Sequence, residues 1–538
     1  MIKEGIQVSE THPEICWPAP GAPALIEEAQ KTWSFIATHR CGETVDYHGW
    51  LRQICLRSPD GEITVPLQLI DTQAITRDHI PSRVRGFASL PEAGQRSFVE
   101  CRVKVPDGTR PNLPGRSRVF DLWNADRCLR RRCVALTRFA DQRLAVAFAS
   151  DFHLSCLWDQ IIGEIGRTTP DLMTRLVNPS ALWERFVEAV NQRWRRGELD
   201  LVVLGGDLVD HVHLQDWFPR EADLSAETNV HRFLNALSAL MPPVFVIPGN
   251  HDFRLFPWRP RIYGLGAIGL TKSETRRVLR ESNLGAGGPP RPRDLCALQT
   301  RDAMGRTALA HHLRLLAPST DYAIDAAGMR LIFASTGCDA LVDWINLGKQ
   351  RPIQFLRSLS SAWKTPDSVG FDDEQIGWIT DALQNTRGAA VFFHAPLLHV
   401  DNDPETGNRL NSLPPFPWSL SRDSSRVERL WQRAGLRKGV SFSHAGKLLE
   451  SFLAAPIPVT TFSGHIHRAT RIDLSRADRR MSVRPLSSPI EPTVSIQLLT
   501  GPAVGQADLD GTVAPGYLLA NFDKGYLTDL RQENLPFL

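Results

Sequence analysis

The sequence lacks the long apolar runs that mark membrane proteins. Nowhere do about 18 apolar residues stand together, so no transmembrane helix is expected. The opening segment, MIKEGIQVSETHPEIC, contains no apolar stretch behind a basic start, which argues against a secretory signal peptide. We therefore expect a cytoplasmic protein that does not insert into a membrane.

Cysteine pairs and an excess of one charge are also absent. The nine cysteines are an odd number and form no CxxC motif, so neither a disulfide framework nor a thiolate zinc site is expected. The 62 basic residues nearly balance the 59 acidic ones, which leaves a net charge of +3. This balance argues against a surface that wraps nucleic acid, although binding at a local basic patch stays open.

The length and composition are those of a globular protein with more than one domain. The chain has 538 residues, of which 42% are hydrophobic and 22% are charged. Residues 1–32 are rich in proline, glutamate and alanine and are predicted to form an N-terminal extension. Residues 33–143 consist of short β-favouring runs between turn signals, which predicts a small β-sandwich-like domain.

From Leu144 onwards, strand and helix patterns alternate. Continuous apolar runs at 144–150, 199–206 and 244–250 predict buried strands, and residues with helical periodicity separate them. Such a βαβαβ order is typical of parallel strands in an α/β fold.

Residues 144–538 are assigned to one α/β domain. An insertion is predicted at about 254–320, because this stretch interrupts the alternation and connections of this length often form lids beside a site. Strand-like runs with hairpin turns return at 480–538. Capping residues predict two helix starts, one at Ser180 and one at Asp372.

Five apolar runs end at side chains that commonly bind metals. In open α/β sheets, sites form at the carboxyl ends of the strands. The Asp-x-His and His-x-His pairs place two side chains at i and i+2, which point the same way on extended backbone. Carboxylate, imidazole and amide oxygen without thiolate suit Mn, Fe, Zn or similar divalent ions. The five blocks are DFH at 151–153, GDLVD at 206–210, GNHD at 249–252, a lone histidine at 394 and GHIH at 464–467.

This set of motifs resembles that of the calcineurin-like metallophosphoesterase superfamily, whose members have a dinuclear metal centre. All five blocks of the family pattern are intact, as DFH, GDLVD, GNHD, FFHA and GHIH, and they span about Leu144 to Arg468. The resemblance implies a four-layer α/β/β/α sandwich, preceded here by the β-sandwich-like domain. It implies nothing specific about residues 1–143.

The resemblance also implies seven metal ligands and two catalytic residues. The first metal ion would be bound by Asp151, His153 and His467, the second by Asn250, His394 and His465, and both by Asp207. His251 matches the position that protonates the leaving oxygen, and Asp210 matches the position that orients this histidine.

The chemistry expected of such a site is hydrolysis of a phosphoric ester. Two divalent ions can acidify a water between them and hold the attacking and leaving oxygens of an in-line displacement. We expect hydrolysis of a phosphodiester or phosphomonoester by a metal-bridging hydroxide, with His251 as the proton donor. The positive charge of the metals favours a phosphorylated substrate, whose identity the sequence does not reveal.

Other polar residues near the motifs are weaker candidates. Arg254 and Arg468 lie close to ligand residues in the sequence and are candidates for binding phosphate oxygens. His211, His213 and His399 match no ligand position and are expected at the surface or behind the ligands.

Two other functions fit the same motifs. The first is a Mn-dependent nuclease of the same superfamily, which the near-neutral charge and the residues before Leu144 do not favour. The run of arginines at 130–132 could touch nucleic acid, but a solvated face is the preferred interpretation. The second is a partner-binding or scaffold protein that keeps the metal site for structure.

Overall fold

A computed structural model describes most of the chain. Within the described residues, the strands form four sheets of four to seven strands and two smaller pairs. The described residues are 13–28, 30, 32–106, 116–139, 142–212, 228–254, 265–282, 301–337, 368–400, 408–409, 411, 436–438, 441–443, 445–491, 495–505 and 514–536.

The β-rich part of the chain contains nine strands and two short helices among its described residues. The strands are β1 (Glu14–Trp17), β2 (Ala24–Glu27), β3 (Thr32–Arg40), β4 (Ile54–Arg57), β5 (Thr64–Pro66), β6 (Gln68–Ile75), β7 (Arg96–Lys104), β8 (Ser117–Asn124) and β9 (Arg127–Thr137). The helices are α1 (Tyr47–Trp50) and α2 (Ser82–Ala88), and single 3-10 turns lie at Arg77–His79 and Pro91–Gln95.

These strands form two sheets that share one core. One sheet has the order β1-β3-β7-β6 and the other the order β2-β9-β8-β4-β5. Phe35 of β3 and Phe120 of β8 are fully buried in the same hydrophobic cluster. The predicted β-sandwich-like domain before the α/β part is therefore confirmed.

Two strands of these sheets come from residues predicted as an N-terminal extension. Strand β1 pairs antiparallel with β3, and β2 pairs parallel with β9. Ile15 and Ile26 are almost completely buried, so this segment adds apolar surface to the core. The structure thus places residues of the range 1–32 within both sheets, where the sequence analysis expected none.

Sixteen strands lie in the described α/β part. They are β10 (Arg143–Ala149), β11 (Leu201–Gly205), β12 (Val244–Ile247), β13 (Tyr322–Ala326), β14 (Met329–Phe333), β15 (Ser368–Gly370), β16 (Ala389–Phe392), β17 (Leu398–Val400), β18 (Leu436–Lys438), β19 (Ser441–Ser443), β20 (Val459–Ser463), β21 (Thr470–Leu474), β22 (Met481–Arg484), β23 (Ile496–Thr500), β24 (Gly516–Asp523) and β25 (Tyr526–Asn534).

Two large sheets organise these strands. The first has the order β12-β11-β10-β24-β25, and the second has the order β13-β14-β16-β20-β23-β21-β22. Neighbours β10, β11 and β12 run parallel, as do β14, β16, β20 and β23. The C-terminal strand β24 pairs antiparallel with β10, where Leu144 lies opposite Phe522. The C-terminal segment therefore completes both sheets, since it supplies β23 to the second.

Seven helices of the described α/β part cover the sheets. They are α3 (Cys156–Thr168), α4 (Pro179–Arg195), α5 (Asn229–Leu237), α6 (Lys272–Glu281), α7 (Arg301–Leu315), α8 (Asp373–Ala382) and α9 (Ala445–Ala454), with 3-10 turns at Pro170–Arg175, His251–Phe253 and Gly266–Ile268. No helix in the ranges given above combines the length and the apolar character of a membrane span.

The alternation of side chains along β16 shows how the layers are stacked. Ala390 and Phe392 belong to the core shared with the first sheet, whereas Ala389 and Val391 belong to a separate core with α8 and α9. On the far side of the first sheet, Phe186 of α4 is fully buried in the shared core. The order helix, sheet, sheet, helix confirms the predicted four-layer α/β/β/α sandwich.

Stacked aromatic rings fill the space between the two sheets. Phe392 lies with its ring centroid 5.2 Å from that of Phe333 and 5.0 Å from that of Phe462, and the ring planes are within 16° of parallel. Phe245 stacks on Phe333 at 5.1 Å, and Phe148 lies 5.5 Å from Phe462. We refer to these five residues as the aromatic floor.

The β-rich part is fixed to the edge of the first sheet. Gly21 donates its N–H to the carbonyl of Leu316 at 2.8 Å, and its own carbonyl accepts from Val246 N of β12 at 2.8 Å. A Cβ at Gly21 would lie 2.4 Å from a methyl group of Val246, so this close approach requires glycine. Edge strand β12 is covered in this way.

The run of arginines at 130–132 takes part in this attachment. Arg130 donates to the carbonyl of Arg314 at 3.3 Å, and Arg132 donates to the carbonyl of Pro242 at 3.4 Å. Burial lowers the pKa of Arg132 to about 10. The interpretation of this run as a solvated face is therefore wrong for Arg130 and Arg132. Both donate to backbone carbonyls of the α/β part, and Arg130 also donates to the carbonyl of Ile15 in the β-rich part at 2.8 Å.

Part of the predicted insertion at 254–320 can be located. Its residues 255–264 and 283–300 lie outside the described part of the chain. Helix α7, at its C-terminal end, packs into the core through Leu313, which is buried, and against the turn His251–Phe253. Its His312 is also buried.

Candidate metal centre

All seven predicted ligands lie where strands of the two large sheets end. Strands β10, β11 and β12 of the first sheet and β16 and β20 of the second each lead directly into one motif block. The phenylalanines of the aromatic floor precede the motif blocks by a few residues on four of these strands, and the fifth lies on the neighbouring strand β14. The floor therefore packs between the two sheets directly beneath the motif blocks. The ligands are Asp151, His153, Asp207, Asn250, His394, His465 and His467.

The residues of the Asp-x-His and His-x-His pairs, and Asp207, have left-handed rather than extended backbone conformations. The φ angles are 59° at Asp151, 50° at His153, 50° at Asp207, 70° at His465 and 57° at His467. The expectation that Asp-x-His and His-x-His point the same way on extended backbone is therefore wrong. Non-glycine residues in this region are uncommon, and they cluster at functional sites that the surrounding structure holds in place.

Gly249 of the GNHD block permits the close approach of two motif blocks. A Cβ at this position would lie 2.3 Å from both the backbone N and the Oδ1 atom of Asp207, and 2.9 Å from the ring of His394. The glycine is thus required because no side chain fits between the strand ends.

The first group of ligands brings Asp151, His153 and His467 together. Their ligand atoms all lie within 4.8 Å of one another, and His467 Nε2 is 3.4 Å from Asp151 Oδ1. The Asp151 carboxylate is fully buried and accepts hydrogen bonds from Ser150 Oγ at 2.6 Å and His465 N at 3.0 Å. The three residues that the motif resemblance assigned to one metal are therefore neighbours.

The second group contains Asp207, His394 and His465, with Asn250 between the two rings. Asn250 Oδ1 lies 2.9 Å from both His394 Nε2 and His465 Nδ1, and His394 Nε2 lies 3.3 Å from Asp207 Oδ2. His394 Nδ1 donates to the carbonyl of Gly205 at 2.8 Å, because a carbonyl can only accept. When its Nε2 is deprotonated, His394 therefore directs a lone pair at the group, as a metal ligand would.

Asp207 connects the two groups. Its Oδ2 atom lies 3.6 Å from His153 Nε2 of the first group and 3.3 Å from His394 Nε2 of the second. Its Oδ1 atom accepts the N–H of His251 at 2.8 Å, which orients the carboxylate.

The residues present fit divalent metal ions. Both ring nitrogens of His153 are buried without a hydrogen-bond partner in the described structure, which is costly unless a cation takes the lone pair. Burial lowers the pKa of His153 to about 4 and that of His465 to about 3, so both rings are neutral ligands. Burial also opposes protonation of His394, but the Asp207 carboxylate outweighs it and raises the pKa to about 9. The centre therefore attracts positive charge.

His251 and Asp210 lie beside the first group. His251 Nδ1 is 3.0 Å from Asp210 Oδ1, and the His251 ring is 4.3 Å from that of His153 and nearly perpendicular to it. Because a carboxylate accepts, Nδ1 donates to Asp210, whereas Nε2 lies 2.7 Å from Arg254 Nη1. His153, Asp210 and His251 also form a third group of ligand atoms within 4.8 Å, so Asp210 borders the metal ligands directly.

The weaker candidates divide into those near the centre and those that are not placed there. Arg254 Nη1 lies 2.7 Å from His251 Nε2, and the half-buried Arg468 follows His467 directly. His399 lies in β17, and His213 lies outside the described residues. His211 is not at the surface but fully buried, with Nδ1 3.2 Å from Asp210 Oδ2.

Asp252 is a functional residue that the sequence analysis did not assign. Its buried carboxylate accepts N–H groups from Gly249 at 2.7 Å, Leu208 at 3.1 Å and Val209 at 3.1 Å. Burial raises its pKa to about 7, against these three hydrogen bonds. Asp252 thus connects the loop after β11 with the loop after β12. In the sequence, only its position as the last residue of the GNHD block could have indicated this role.

Comparisons with known proteins agree with the motif pattern. Residues 144–297 match the model of the calcineurin-like phosphoesterase family, which confirms the resemblance for this segment. No curated protein matches the chain.

Among solved structures, the fold is similar to that of PhoD, with 10% identity and a TM-score of 0.35 over 92% of this chain and 94% of that one. GAP50, the anchor in the inner membrane complex of Plasmodium, has 10% identity and a TM-score of 0.26, covering 73% of this chain and 89% of its own. A metallophosphoesterase from Sphaerobacter thermophilus has 13% identity and a TM-score of 0.23, with the same coverage. At these TM-scores the similarities carry no argument of their own.

Proposed function

We propose, from the match of residues 144–297 to the calcineurin-like phosphoesterases, that this protein is a metal-dependent phosphoesterase that hydrolyses a phosphodiester or phosphomonoester. One observation carries the proposal: seven carboxylate, imidazole and amide donors from five strand ends converge with unpartnered lone pairs at His153. A purely structural role would not require so many buried and partly buried metal-binding groups to converge.

Two divalent ions would occupy the centre. Asp151, His153 and His467 would hold one, Asn250, His394 and His465 would hold the other, and Asp207 would contact both. The donor set contains no thiolate and suits Mn, Fe, Zn or similar ions. When bound, such ions supply a nucleophile at neutral pH and offset the negative charge of a phosphate ester.

His251 would deliver the proton that the leaving oxygen needs. The oxygen of water forms the new bond to phosphorus while the bond to the leaving oxygen breaks, and that oxygen takes a proton from His251 Nε2. Asp210 accepts the hydrogen bond of Nδ1 and so keeps Nε2 directed at the site. The pair can work in this way without ligating metal.

Arg254 and Arg468 would bind the phosphate oxygens that the metals leave free. The Nη1 atom of Arg254 lies 2.7 Å from His251 Nε2, which is the atom proposed to protonate the leaving oxygen. A guanidinium can donate two parallel hydrogen bonds to a phosphate, which is why arginine suits this position.

The proposal is tested on the purified full-length chain after removal of metal with a chelator. Readdition of Mn²⁺ should restore hydrolysis of bis-p-nitrophenyl phosphate, p-nitrophenyl phosphate or both, and Mg²⁺ serves as the hard-cation comparison. Absence of hydrolysis of both esters while metal binding is measured directly would refute it.

The same preparation separates the two alternative functions. A nuclease would degrade single- or double-stranded DNA with Mn²⁺ faster than it cleaves the aryl esters. A scaffold with a structural metal site would bind Mn²⁺ and cleave neither kind of substrate. The contacts of Arg130 and Arg132 with backbone carbonyls remove one feature that had suggested nucleic acid.

A further inference from the structure

The carboxylate of Asp210 is shared by two histidines. Its Oδ1 atom lies 3.0 Å from His251 Nδ1, and its Oδ2 atom lies 3.2 Å from His211 Nδ1. A carboxylate can only accept, so both rings donate from Nδ1. The orientation of Asp210 thus depends on His211 as well as on the proton donor.

Asp210 also has a competing neighbour. His153 Nδ1 lies 3.7 Å from the same Oδ1 atom that faces His251. A small rotation of the carboxylate would pair it with His153, a predicted metal ligand, and would leave His251 Nδ1 with only the backbone carbonyl of Asp210, 3.2 Å away, as its acceptor. The hydrogen bond from His211 to Oδ2 opposes this rotation.

Hydrogen bonds to its backbone carbonyl and to that of the next residue hold His211 in place. It is fully buried, and its carbonyl accepts from Asn229 Nδ2 at 2.9 Å. The other end of the Asn229 amide, Oδ1, accepts the N–H of Cys156 at 3.1 Å, at the start of α3. Asn229 N donates to the carbonyl of Val212 at 2.8 Å. Two helix starts therefore fix the position of His211.

We infer that His211 is a positioning residue, which holds Asp210 in the orientation that directs His251 at the leaving group. This inference rests on the proposed function. His211 does not reach the reacting atoms; it acts through Asp210, and Asn229 supports it from behind. Replacement of His211 should therefore impair protonation of the leaving oxygen more than it impairs metal binding or attack on phosphorus.

Leaving groups of different acidity test this role. Phenyl phosphate needs a proton on its leaving oxygen far more than p-nitrophenyl phosphate does, because phenoxide is the more basic anion. His211→Phe keeps the ring but removes the donor, and it should lower kcat for phenyl phosphate about tenfold more than kcat for p-nitrophenyl phosphate. His211→Asn, which restores a donor near Nδ1, should recover most of this difference.

A double-mutant cycle makes the test specific. In a His251→Ala background, His211→Phe should cause no further change in the ratio of the two kcat values, because the group that it positions is gone. Mn²⁺ content should equal that of the wild-type chain throughout. If His211→Phe does not fold, Asn229→Ala is measured instead and should shift the ratio in the same direction.

The possible outcomes distinguish a failure of the proposed phosphoesterase function from a failure of the positioning role of His211. A wild-type chain that cleaves neither of these monoesters nor bis-p-nitrophenyl phosphate contradicts the proposed function itself, and for a chain that cleaves only the diester the same ratio is measured with methyl phenyl phosphate and methyl p-nitrophenyl phosphate. A wild-type chain that cleaves both, with a ratio unchanged in His211→Phe and Asn229→Ala, overturns the positioning role alone. Equal slowing of both esters would also overturn it, since this is the signature of a merely structural residue.

Discussion

The metal centre and the aromatic floor share the same strands but obey opposite physical rules. Phe392 and His394 are separated by one residue, yet Phe392 stacks in an apolar layer while the ring of His394 faces four polar groups. The floor has near-parallel rings and buried apolar strands, which stabilise the fold. The centre has left-handed backbone and unpartnered buried nitrogens, which cost stability.

This difference indicates that the two parts of each strand have different functions. The floor provides rigid support, and the centre uses that support to hold donors in an arrangement that only a cation relieves. Substitutions in the centre should therefore remove activity with little loss of folded protein, and substitutions in the floor should do the reverse. The following variants test this separation, from the largest expected effect to the smallest.

Asp207→Asn should cause the largest loss of activity. It removes the charge that connects both ligand groups but keeps an oxygen for the N–H of His251. We expect at least about a 10³-fold fall in kcat with Mn²⁺, together with loss of bound metal. Hydrolysis and metal content are measured side by side, with Asp325→Asn as the control, at an exposed position of β13. Normal metal content in Asp207→Asn would contradict the assignment.

Phe392→Ala should cause the largest loss of stability. It opens a cavity in the middle of the floor, between Phe333 and Phe462, and should lower the free energy of unfolding by about 3–5 kcal/mol. Denaturant unfolding measures the change, and Tyr526→Ala, at a residue that is 51% exposed, is the control. A cost as small as that of the control would show that the floor is not the support proposed here.

His251→Ala should slow turnover without removing metal. Loss of the proton donor should reduce kcat for phenyl phosphate about 10²-fold and spare p-nitrophenyl phosphate to a larger extent. Metal content is expected to match that of the wild-type chain, because we propose His251 as the proton donor and not as a metal ligand. If metal is lost instead, the third ligand group, with His153 and Asp210, is the true metal site.

His312 provides a buried imidazole outside the centre for comparison with His153. Both of its ring nitrogens lack a partner in the described structure, and it belongs to none of the ligand groups found there. Burial lowers its pKa from 6.5 to about 3 in the folded chain. The unfolded chain therefore binds the proton first as the pH falls below 6.5, and stability is lost at about 1.4 kcal/mol per pH unit.

Replacement of this histidine should make the protein less sensitive to acid. Between pH 7.5 and pH 5, the wild-type chain should lose about 2 kcal/mol more stability than His312→Leu does. Urea unfolding at both pH values measures this difference, and His48→Gln, at an exposed position, should show none of it. An equal loss in wild type and His312→Leu would rule out the burial of a neutral ring at this position.

The sequence predicted the chemistry of the centre better than its geometry. The motif blocks predicted which side chains come together, because each block stands at the end of a buried strand, and the structure brings these side chains into neighbouring groups. They did not indicate the left-handed backbone at Asp151 or His465, since this depends on how the two sheets approach. They also did not indicate a role for His211. Its hydrogen bond to Asp210 depends on the packing of this loop against α5, where Asn229 donates to the carbonyl of His211.

The fold shows the same limit. The alternation after Leu144 predicted the sandwich, and Asp372 caps α8 as expected, with its side chain accepting from Gln375 N. The N-cap of α4 is Asn178, two residues before the predicted cap Ser180, and a proline occupies the first helical position. Pairings far apart in sequence, such as β2 with β9, were missed since no local pattern reports them. The domain boundaries at residues 32 and 143 remain predictions.

Titration of the metal-free chain with Mn²⁺ tests the central claim most directly. Phosphate ester hydrolysis should rise with added Mn²⁺ and reach its maximum at two equivalents per chain, as the two ligand groups joined by Asp207 require. Two equivalents bound with no hydrolysis of bis-p-nitrophenyl phosphate or p-nitrophenyl phosphate would contradict the account.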